Sequence, residues 1–237
     1  MKISVITVCF NSGHTIGEAL RSVRNQTHLD VEQVVVDGGS RDDTLAVVAR
    51  EAHPGVQLVS GPDKGIYDAM NKGLALATGE VLAFLNSDDC YATPEVLAHV
   101  ARAMEQDISL DAVLADVVFV DPARPHRSVR RYRSGRFRPS LLGWGWMPAH
   151  PALFVRRRVF ERAGYFRTDY RIAGDYEWIV RAFGAAALHY RHLDEVVVRM
   201  RTGGISTGGW RNTLLLNREV LRACRDNGIR TNWLKIL

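Results

Sequence analysis

The residues best suited to chemistry are carboxylates at the predicted ends of buried strands. Asp37 ends one such strand, and the run Asn86-Ser87-Asp88-Asp89 follows another. Adjacent carboxylates repel each other unless a cation neutralises them, and Mg²⁺ or Mn²⁺ takes oxygen ligands that it often shares with phosphates. Helix capping does not account for Asp88 and Asp89, because Thr93 already serves the next predicted helix. We therefore expect carboxylates from separate strand ends to converge on a divalent cation that is shared with substrate phosphates.

A parallel sheet is the element that would position these carboxylates. Residues 1–115 alternate buried, β-branched runs with amphipathic segments, which is typical of such a sheet covered by helices. The predicted strands are 3–10, 31–37, 56–60 and 81–86, and helices are predicted over 13–26, from Ser40, over 66–77 and from Thr93. Ser40 and Asp43 indicate a capping box. Ligands bind beyond the carboxyl ends of parallel strands, so Asp37 and Asp88 are expected at one edge.

The pattern changes after residue 115. We predict a strand over 113–120, a loop or loose hairpin over 122–139, a strand over 153–155, helices over 157–163 and 176–183, a hairpin or strand pair over 188–200, and a basic amphipathic helix over 210–227. The chain has no internal repeat and no long linker. The simplest expectation is one domain over residues 1–237, with halves at 1–115 and 116–237.

Composition narrows the class of protein. The chain has 237 residues, of which 46% are apolar, so disorder of the whole chain is excluded. No apolar run approaches the roughly 18 residues of a membrane-spanning helix, and the N-terminal run is typical of a first strand rather than a signal peptide. Cys9, Cys90 and Cys224 are widely spaced, which disfavours disulfides and cysteine zinc sites and favours a reducing cytoplasm.

The net charge of +5 hides a split between the two halves. Residues 1–115 carry a net charge of −8 and residues 116–237 carry +13. An acidic half can hold a cation, while a basic half can face substrate phosphates, acidic lipid headgroups or nucleic acid. Two solvated faces are an equal alternative, so charge alone does not choose between them.

Several motifs, in order along most of the chain, resemble family 2 glycosyltransferases, especially bacterial enzymes of colanic-acid and other exopolysaccharide assembly. The similarity runs from residue 3 to residue 90 and resumes at His150-Pro-Ala-Leu-Phe and Ala173-Gly-Asp-Tyr-Glu177. The quoted segments are Ser4-Val-Ile-Thr-Val-Cys-Phe-Asn11, Val35-Val-Asp-Gly-Gly-Ser40, Asp63-Lys-Gly-Ile-Tyr-Asp-Ala-Met-Asn-Lys-Gly73 and Gly79-Glu-Val-Leu-Ala-Phe-Leu-Asn-Ser-Asp-Asp89.

The resemblance implies an α/β protein with the GT-A fold, a Rossmann-like and mostly parallel sheet flanked by helices, with a C-terminal acceptor-side extension. Residues 1–115 would bind a nucleotide-sugar donor, usually a UDP-sugar, and residues 116–237 the acceptor. The cofactor would be Mn²⁺ or Mg²⁺, and transfer would invert the anomeric carbon. The residues implied for the nucleotide pocket are Thr7, Phe10, Asn11 and Glu18, with Asp37 accepting a hydrogen bond from the base.

The same resemblance assigns the donor sugar and the diphosphate. Asp63 and Asn71 would flank the nucleoside and the sugar, while Asp88 and Asp89 belong to the metal motif. This sequence departs from the usual Asp-x-Asp by having Asn86 first. Asn86 can still bind a ribose hydroxyl, but metal affinity would be weaker, and either aspartate is a possible ligand.

Asp175 matches the family's general base, with Gly174 where the family commonly has Glu. An alcohol is a poor nucleophile at neutral pH, so a positioned carboxylate must take its proton. The alternative is that Asp175 only caps the helix that follows it.

Four further features have both a structural and a functional interpretation. His150 would orient the acceptor or contact the diphosphate, or it would have only a structural role in the packing of the protein. Trp144 and Trp146 form a sugar-stacking platform or belong to the core. Segment 199–206 would be a lid in which Arg201 meets the leaving diphosphate. In the terminal helix, Trp210, Leu214, Leu215 and Leu221 lie opposite Arg211, Arg218, Arg222 and Arg225, so the helix packs on its own domain or contacts an anionic membrane.

The expected acceptor is a saccharide or lipid-linked sugar, and the expected location is the cytoplasm, with peripheral contact at the inner face of the plasma membrane. Rival functions are a nucleotidyltransferase and a non-catalytic sugar-binding module. The first would place a basic, glycine-rich loop where Asn11-Ser-Gly-His14 stands. Nucleic acid is not expected as a partner, because the basic residues form no recognisable motif.

Overall fold

The computed structural model describes residues 1–185, 188–203 and 209–236. In the first half, parallel strands form the block β3–β2–β1–β4. The elements are β1 (Ile3–Cys9), α1 (Ile16–Arg24), β2 (Val31–Asp37), α2 (Thr44–Glu51), β3 (Val56–Ser60), α3 (Ile66–Leu76), β4 (Val81–Phe84), β5 (Cys90–Tyr91) and α4 (Val96–Gln106). β1 is buried at every position, as its run of apolar residues predicts.

The second half extends the same sheet, with mixed strand directions. Its elements are β6 (Ala112–Asp121), β7 (Arg124–Tyr132), β8 (Leu153–Arg156), α5 (Arg157–Ala163), α6 (Gly174–Ala185), β9 (Tyr190–Arg201), α7 (Trp210–Asp226) and α8 (Trp233–Ile236). β8 lies antiparallel between β4 and β6, β9 runs parallel to β6, and β7 forms a hairpin with β6. The α/β architecture agrees with the predicted class.

Two predictions about the elements are wrong. Ser40 does not begin α2, which starts at Thr44, because its hydroxyl donates a hydrogen bond to Asp37 instead of capping the helix. Residues 188–200 do not form a hairpin: Tyr190–Arg201 is one strand, β9, whose partner β6 lies far away in sequence. Pairings this distant leave no local turn signal to read.

The sheet is covered on both faces. One cluster packs α3, α6 and α7 against β1, β2 and β4, and a second packs α4 against β1, β4, β6 and β8. Among the described residues, no helix combines the length and the apolar character that crossing a membrane requires. The helices therefore cover the sheet, and α6 and α7 pack elements of the second half of the chain against β4.

Glu219 of α7 holds the loop that precedes α6. Its buried carboxylate accepts hydrogen bonds from the backbone amides of Arg171, Ile172 and Ala173 at 2.7, 2.8 and 2.8 Å. Three amides that would otherwise lack partners are thereby satisfied by one side chain. This contact fixes where α6 begins.

Replacing Glu219 by Ala should destabilise the protein by about 3 kcal/mol, because three amides of a partly buried loop lose a charged acceptor. Urea denaturation measures the change in the free energy of unfolding. Arg218→Ala, at the exposed neighbouring position, is the matched control and should change this free energy by less than about 0.5 kcal/mol. Equal losses in the two variants would contradict the anchoring role.

Candidate active site

Asp37 lies buried beneath the loop that follows β2. Its carboxylate accepts hydrogen bonds from the backbone amide and the hydroxyl of Ser40, from the amide of Gly39 at 3.1 Å, and from the Ser60 hydroxyl at 2.6 Å. Burial raises the pKa of Asp37, but the hydrogen bonds from Ser40 and Ser60 outweigh it and hold the pKa below its usual value. With no exposed surface and its oxygens occupied, Asp37 shapes the loop, and its expected contact with a base is not supported.

The accessible groups at this edge of the sheet include the exposed Phe10 and Asn11 and the partly buried Asp63. A Cβ added to Gly38 would lie 2.5 Å from Asp63 Oδ2 and 3.4 Å from the Phe10 ring, so both side chains flank the bare backbone of Gly38. Phe10 is 61% exposed. Asn11 adopts a left-handed conformation with φ of 49° and ties this loop to the next, since its amide donates to Ser40 at 2.7 Å. An aromatic ring beside a carboxylate suits a nucleobase.

Five of the predicted site residues meet at the end of β4. Asp89 is 3% exposed and accepts a hydrogen bond from Asn86 Nδ2 at 3.2 Å and another from the backbone amide of Arg201. Burial and the charge of Asp88 raise the pKa of Asp89 to about 8 despite these contacts. The Arg201 guanidinium pairs with Glu18 of α1. Carboxylates and the Arg201 guanidinium therefore lie side by side at the end of β4.

The donor set at β4 fits a divalent cation only in part. Across the described ranges, no three His, Cys, Asp or Glu side chains come together as metal ligands. The expected convergence of Asp37 with Asp88 and Asp89 is therefore wrong, because Asp37 is enclosed by its own loop. Asp88 and Asp89 still offer the carboxylate oxygens that Mg²⁺ and Mn²⁺ prefer, and the diphosphate of a nucleotide would supply further oxygens.

Asp175 stands in the first turn of α6 and is held by Tyr67 of α3. The Tyr67 hydroxyl donates to Ile172 O at 2.5 Å and lies 3.2 Å from Asp175 Oδ1, which also accepts the Tyr176 amide at 2.8 Å. Burial, and the charge of Asp175, raise the pKa of Tyr67 far above its usual value, so this hydroxyl stays protonated. The one proton of the Tyr67 hydroxyl is shared between Ile172 O and Asp175 Oδ1, and the Tyr176 amide donates to the same Oδ1, so neither of these described contacts uses Oδ2.

His150 connects this carboxylate to the end of β4. Its ring stacks on Phe84, the last residue of β4, with centroids 5.1 Å apart, and meets the edge of Phe166 at 5.8 Å. Burial lowers the pKa of His150, and the negative charge of Asp175 opposes this effect. His150 is therefore a buried, neutral side chain close to Asp175, which agrees with a packing role and also places it at the site.

Two predicted substrate contacts, Thr7 and Asn71, turn out to be occupied by the protein itself. Thr7 is fully buried, and its hydroxyl accepts a hydrogen bond from Gln33 at 3.0 Å. The Asn71 amide donates to Phe166 O at 2.8 Å and accepts from Phe166 N at 2.9 Å. Both therefore support the site from behind, and their assignment to ligand contact is not supported.

Tyr67 is the important residue that sequence reasoning did not single out. It lies inside the Asp63–Gly73 motif, but nothing in the local sequence says that its hydroxyl reaches a residue 108 positions away. The expected lid, 199–206, is described only as far as Gly203, and residues 204–206 lie outside the described residues. Trp146 stacks on Tyr132, whereas Trp144 lies under Lys235, so the two rings have different partners.

A pocket of about 190 Å³ opens beside Tyr67. It lies between the start of α3 and the loop before α6. Its walls include Lys64, Asp68, Thr168 and Arg171. Polar groups around an aromatic side chain are typical of sites that bind small polar molecules.

Comparison with known sequences establishes the family to which this chain belongs. The sequence matches glycosyl transferase family 2 over residues 4–164. A PGL/p-HBAD biosynthesis glycosyltransferase of Mycobacterium bovis is 33% identical over 222 residues, which cover 92% of this chain and 82% of the relative. The chain belongs to glycosyltransferase family 2. It is therefore a transferase, and this result favours the glycosyltransferase interpretation over the nucleotidyltransferase and the non-catalytic module.

Solved structures agree on the GT-A fold. Staphylococcus aureus TarS 1–349 in complex with UDP-GlcNAc superposes with a TM-score of 0.76 at 21% identity, over 97% of this chain and 68% of that one. The mannosyltransferase PcManGT from Pyrobaculum calidifontis, in complex with GDP-Man and Mn²⁺, gives a TM-score of 0.69 at 22% identity, over 93% and 64% of the two chains.

Tyr67 explains why this glycosyltransferase has Gly174 where a glutamate is common. A Cβ at residue 174 would lie 2.7 Å from the Tyr67 ring, closer than carbon atoms approach. The ring therefore occupies the room that a side chain would need. Gly174 is thus required by the same residue that holds Asp175.

Gly174→Ala should destabilise the enzyme by about 1–3 kcal/mol, because the added methyl group displaces the Tyr67 ring. Thermal unfolding measures the loss. Gly61→Ala is the control, since a Cβ there meets nothing within 4 Å, and it should be neutral or slightly stabilising. A stable Gly174→Ala protein would mean that Tyr67 does not pack as described.

Proposed function

We propose that this glycosyltransferase transfers a sugar from a UDP-sugar to a hydroxyl group of a saccharide or lipid-linked acceptor, with inversion at the anomeric carbon. The observation that carries the proposal is the geometry of Asp175. Its Oδ1 is held by Tyr67 and by the Tyr176 amide, and neither contact uses Oδ2. A carboxylate fixed in this way suits a general base.

The step is an in-line displacement. The acceptor oxygen forms a bond to the anomeric carbon as the bond from that carbon to the diphosphate oxygen breaks, and the diphosphate leaves with the electron pair. The acceptor's proton passes to Asp175 Oδ2, since an alcohol attacks poorly while it keeps its proton. Tyr67 keeps the carboxylate oriented, and His150, which is neutral, adds no competing charge beside it.

The donor would bind along the edge formed by β1, β2 and β4. The uracil would lie between Phe10 and Asp63, over the bare backbone of Gly38. Arg201 would approach the diphosphate after exchanging its Glu18 partner for phosphate oxygens. A divalent cation held by Asp88 and Asp89 would neutralise charge on the departing diphosphate. The complexes of TarS with UDP-GlcNAc and of PcManGT with GDP-Man and Mn²⁺ support this arrangement.

The acceptor would approach from the side of the pocket beside Tyr67. Lys64, Asp68 and Arg171 would offer hydrogen bonds to sugar hydroxyls there. Tyr67, which contacts Asp175, belongs to the pocket lining, and its ring is largely buried. A saccharide is thus the acceptor class that the lining supports.

Asp175→Asn should lower kcat at least about 10²-fold while the protein stays folded, since Asn accepts the same hydrogen bonds but takes no proton. Single-turnover transfer measures the rate, and thermal unfolding with and without UDP checks folding and donor binding. The control is Asp194→Asn, at an exposed carboxylate of β9. A retained rate would reject Asp175 as the base.

UDP-sugars should raise the melting temperature more than GDP-sugars, and only when Mn²⁺ or Mg²⁺ is present. Thermal shift with a panel of nucleotide sugars, with and without EDTA, measures this. Asp88→Asn and Asp89→Asn should each weaken the metal-dependent part of the shift, because each removes a charged oxygen ligand. Asp43→Asn is a control outside the β4 cluster. Equal shifts in EDTA would refute the metal assignment.

A further inference from the structure

Four of the five tryptophans are substantially exposed. Trp210, Trp144, Trp233 and Trp146 are 71%, 54%, 40% and 36% exposed, whereas Trp178 is 1% exposed. Leu234 is 88% exposed beside Trp233. A large aromatic ring in water forfeits the free energy that its burial would bring. So many exposed rings in one region of a protein indicate a surface that is covered by something else.

Three neighbouring elements carry these side chains: the 3₁₀ turn Pro139–Trp144, α7 and α8. The Thr231 hydroxyl donates to Gly143 O at 2.7 Å, which joins the segment before α8 to the turn. A Cβ on Gly145 would contact Ile236 of α8 and Val220 of α7 at 3.4 and 3.7 Å. Trp144 lies next to α8, and Trp210 and Leu214 lie further along α7 toward its start. We call the exposed residues Trp144, Trp210, Leu214, Trp233 and Leu234 the tryptophan surface.

The first half of α7 extends its apolar side beyond the protein core. Leu221 is 3% exposed, Leu214 is 37% exposed and Trp210 is 71% exposed, so burial falls steadily toward the start of the helix. Trp210 and Leu214 are four residues apart and lie on one face. The helix therefore packs on its own domain from Leu216 onward, while the side chains of Trp210 and Leu214 near its start stay substantially exposed.

The surface is also strongly cationic. Residues 133–147 and 209–236 contain nine Lys and Arg residues and two Asp and Glu residues. Both acids already have partners: the buried Glu219 accepts from backbone amides, and the exposed Asp226 pairs with Arg167 and Arg222. Lys235 and Arg211 lie 5.1 and 5.4 Å over the exposed rings of Trp144 and Trp210.

We propose that the tryptophan surface docks on the headgroup region of an anionic lipid bilayer. Tryptophan suits the boundary between water and lipid, where its ring is apolar and its N–H is polar, and cations beside it bind lipid phosphates. A second copy of this chain fits less well, because two such surfaces would bring like charges together. The inference rests on surface residues alone and does not depend on the donor, the metal or Asp175.

The test is sedimentation of the full chain, without substrates, with vesicles of phosphatidylcholine alone or mixed with phosphatidylglycerol. Binding should occur to the mixed vesicles and weaken as salt is raised. The variant Trp233→Ser/Leu234→Ser should bind at least about tenfold more weakly, because two apolar side chains no longer enter the bilayer boundary. Arg211→Glu should weaken binding to the mixed vesicles, and tryptophan emission should shift to the blue on binding.

The matched control is Leu29→Ser/Ile108→Ser, which removes two apolar side chains that are 94% and 78% exposed on other elements. It should bind like the unaltered protein. Each variant's melting temperature verifies that it is folded. Absent binding, equal binding to both vesicle types, or an equal loss in the control would overturn the proposal. So would a dimer, seen by light scattering, that the Trp233→Ser/Leu234→Ser change dissociates.

Discussion

The contact between Tyr67 and the start of α6 is the constraint on which the rest of the site depends. It joins the half of the chain that carries the parallel strands to the half that carries Asp175, across 108 positions of sequence. Asn71, one turn further along α3, makes a paired hydrogen bond with Phe166 and fixes the same two segments. The proposed base is therefore placed by the contacts from α3 together with the Glu219 contact from α7 to the loop that precedes it.

The end of β4 shows a second constraint, which is electrostatic. Asp89 is buried beside Asp88, and its hydrogen bonds from Asn86 and Arg201 do not compensate fully, so the pKa of Asp89 remains raised. Arg201 is in turn shared with Glu18. The cluster therefore carries negative charge that Arg201 neutralises only in part. A divalent cation would offset this excess negative charge, whereas a diphosphate bound without a cation would add to it.

Much of the framework could be predicted from sequence, because burial leaves a local signal. β2 and β3 begin and end where the apolar runs do, and β1 ends within one residue. The motif residues at the end of β4 also gather as expected. The predictions that failed concern partners from elsewhere in the chain. The local sequence around Ser40 is that of a capping box, but its hydroxyl donates to the buried Asp37 instead. Thr7 and Asn71 have polar side chains that could bind a ligand, but the structure pairs them with Gln33 and Phe166.

The pair Tyr67 and Gly174 is another contact between residues that are far apart in sequence. A side chain at residue 174 and a large ring at residue 67 cannot occupy the same space, since a Cβ alone would approach the ring to 2.7 Å. In this chain the ring of Tyr67 therefore takes the room that a side chain at residue 174 would need. Gly174 thus allows Tyr67 to lie next to Asp175, whose Oδ1 is 3.2 Å from the tyrosine hydroxyl.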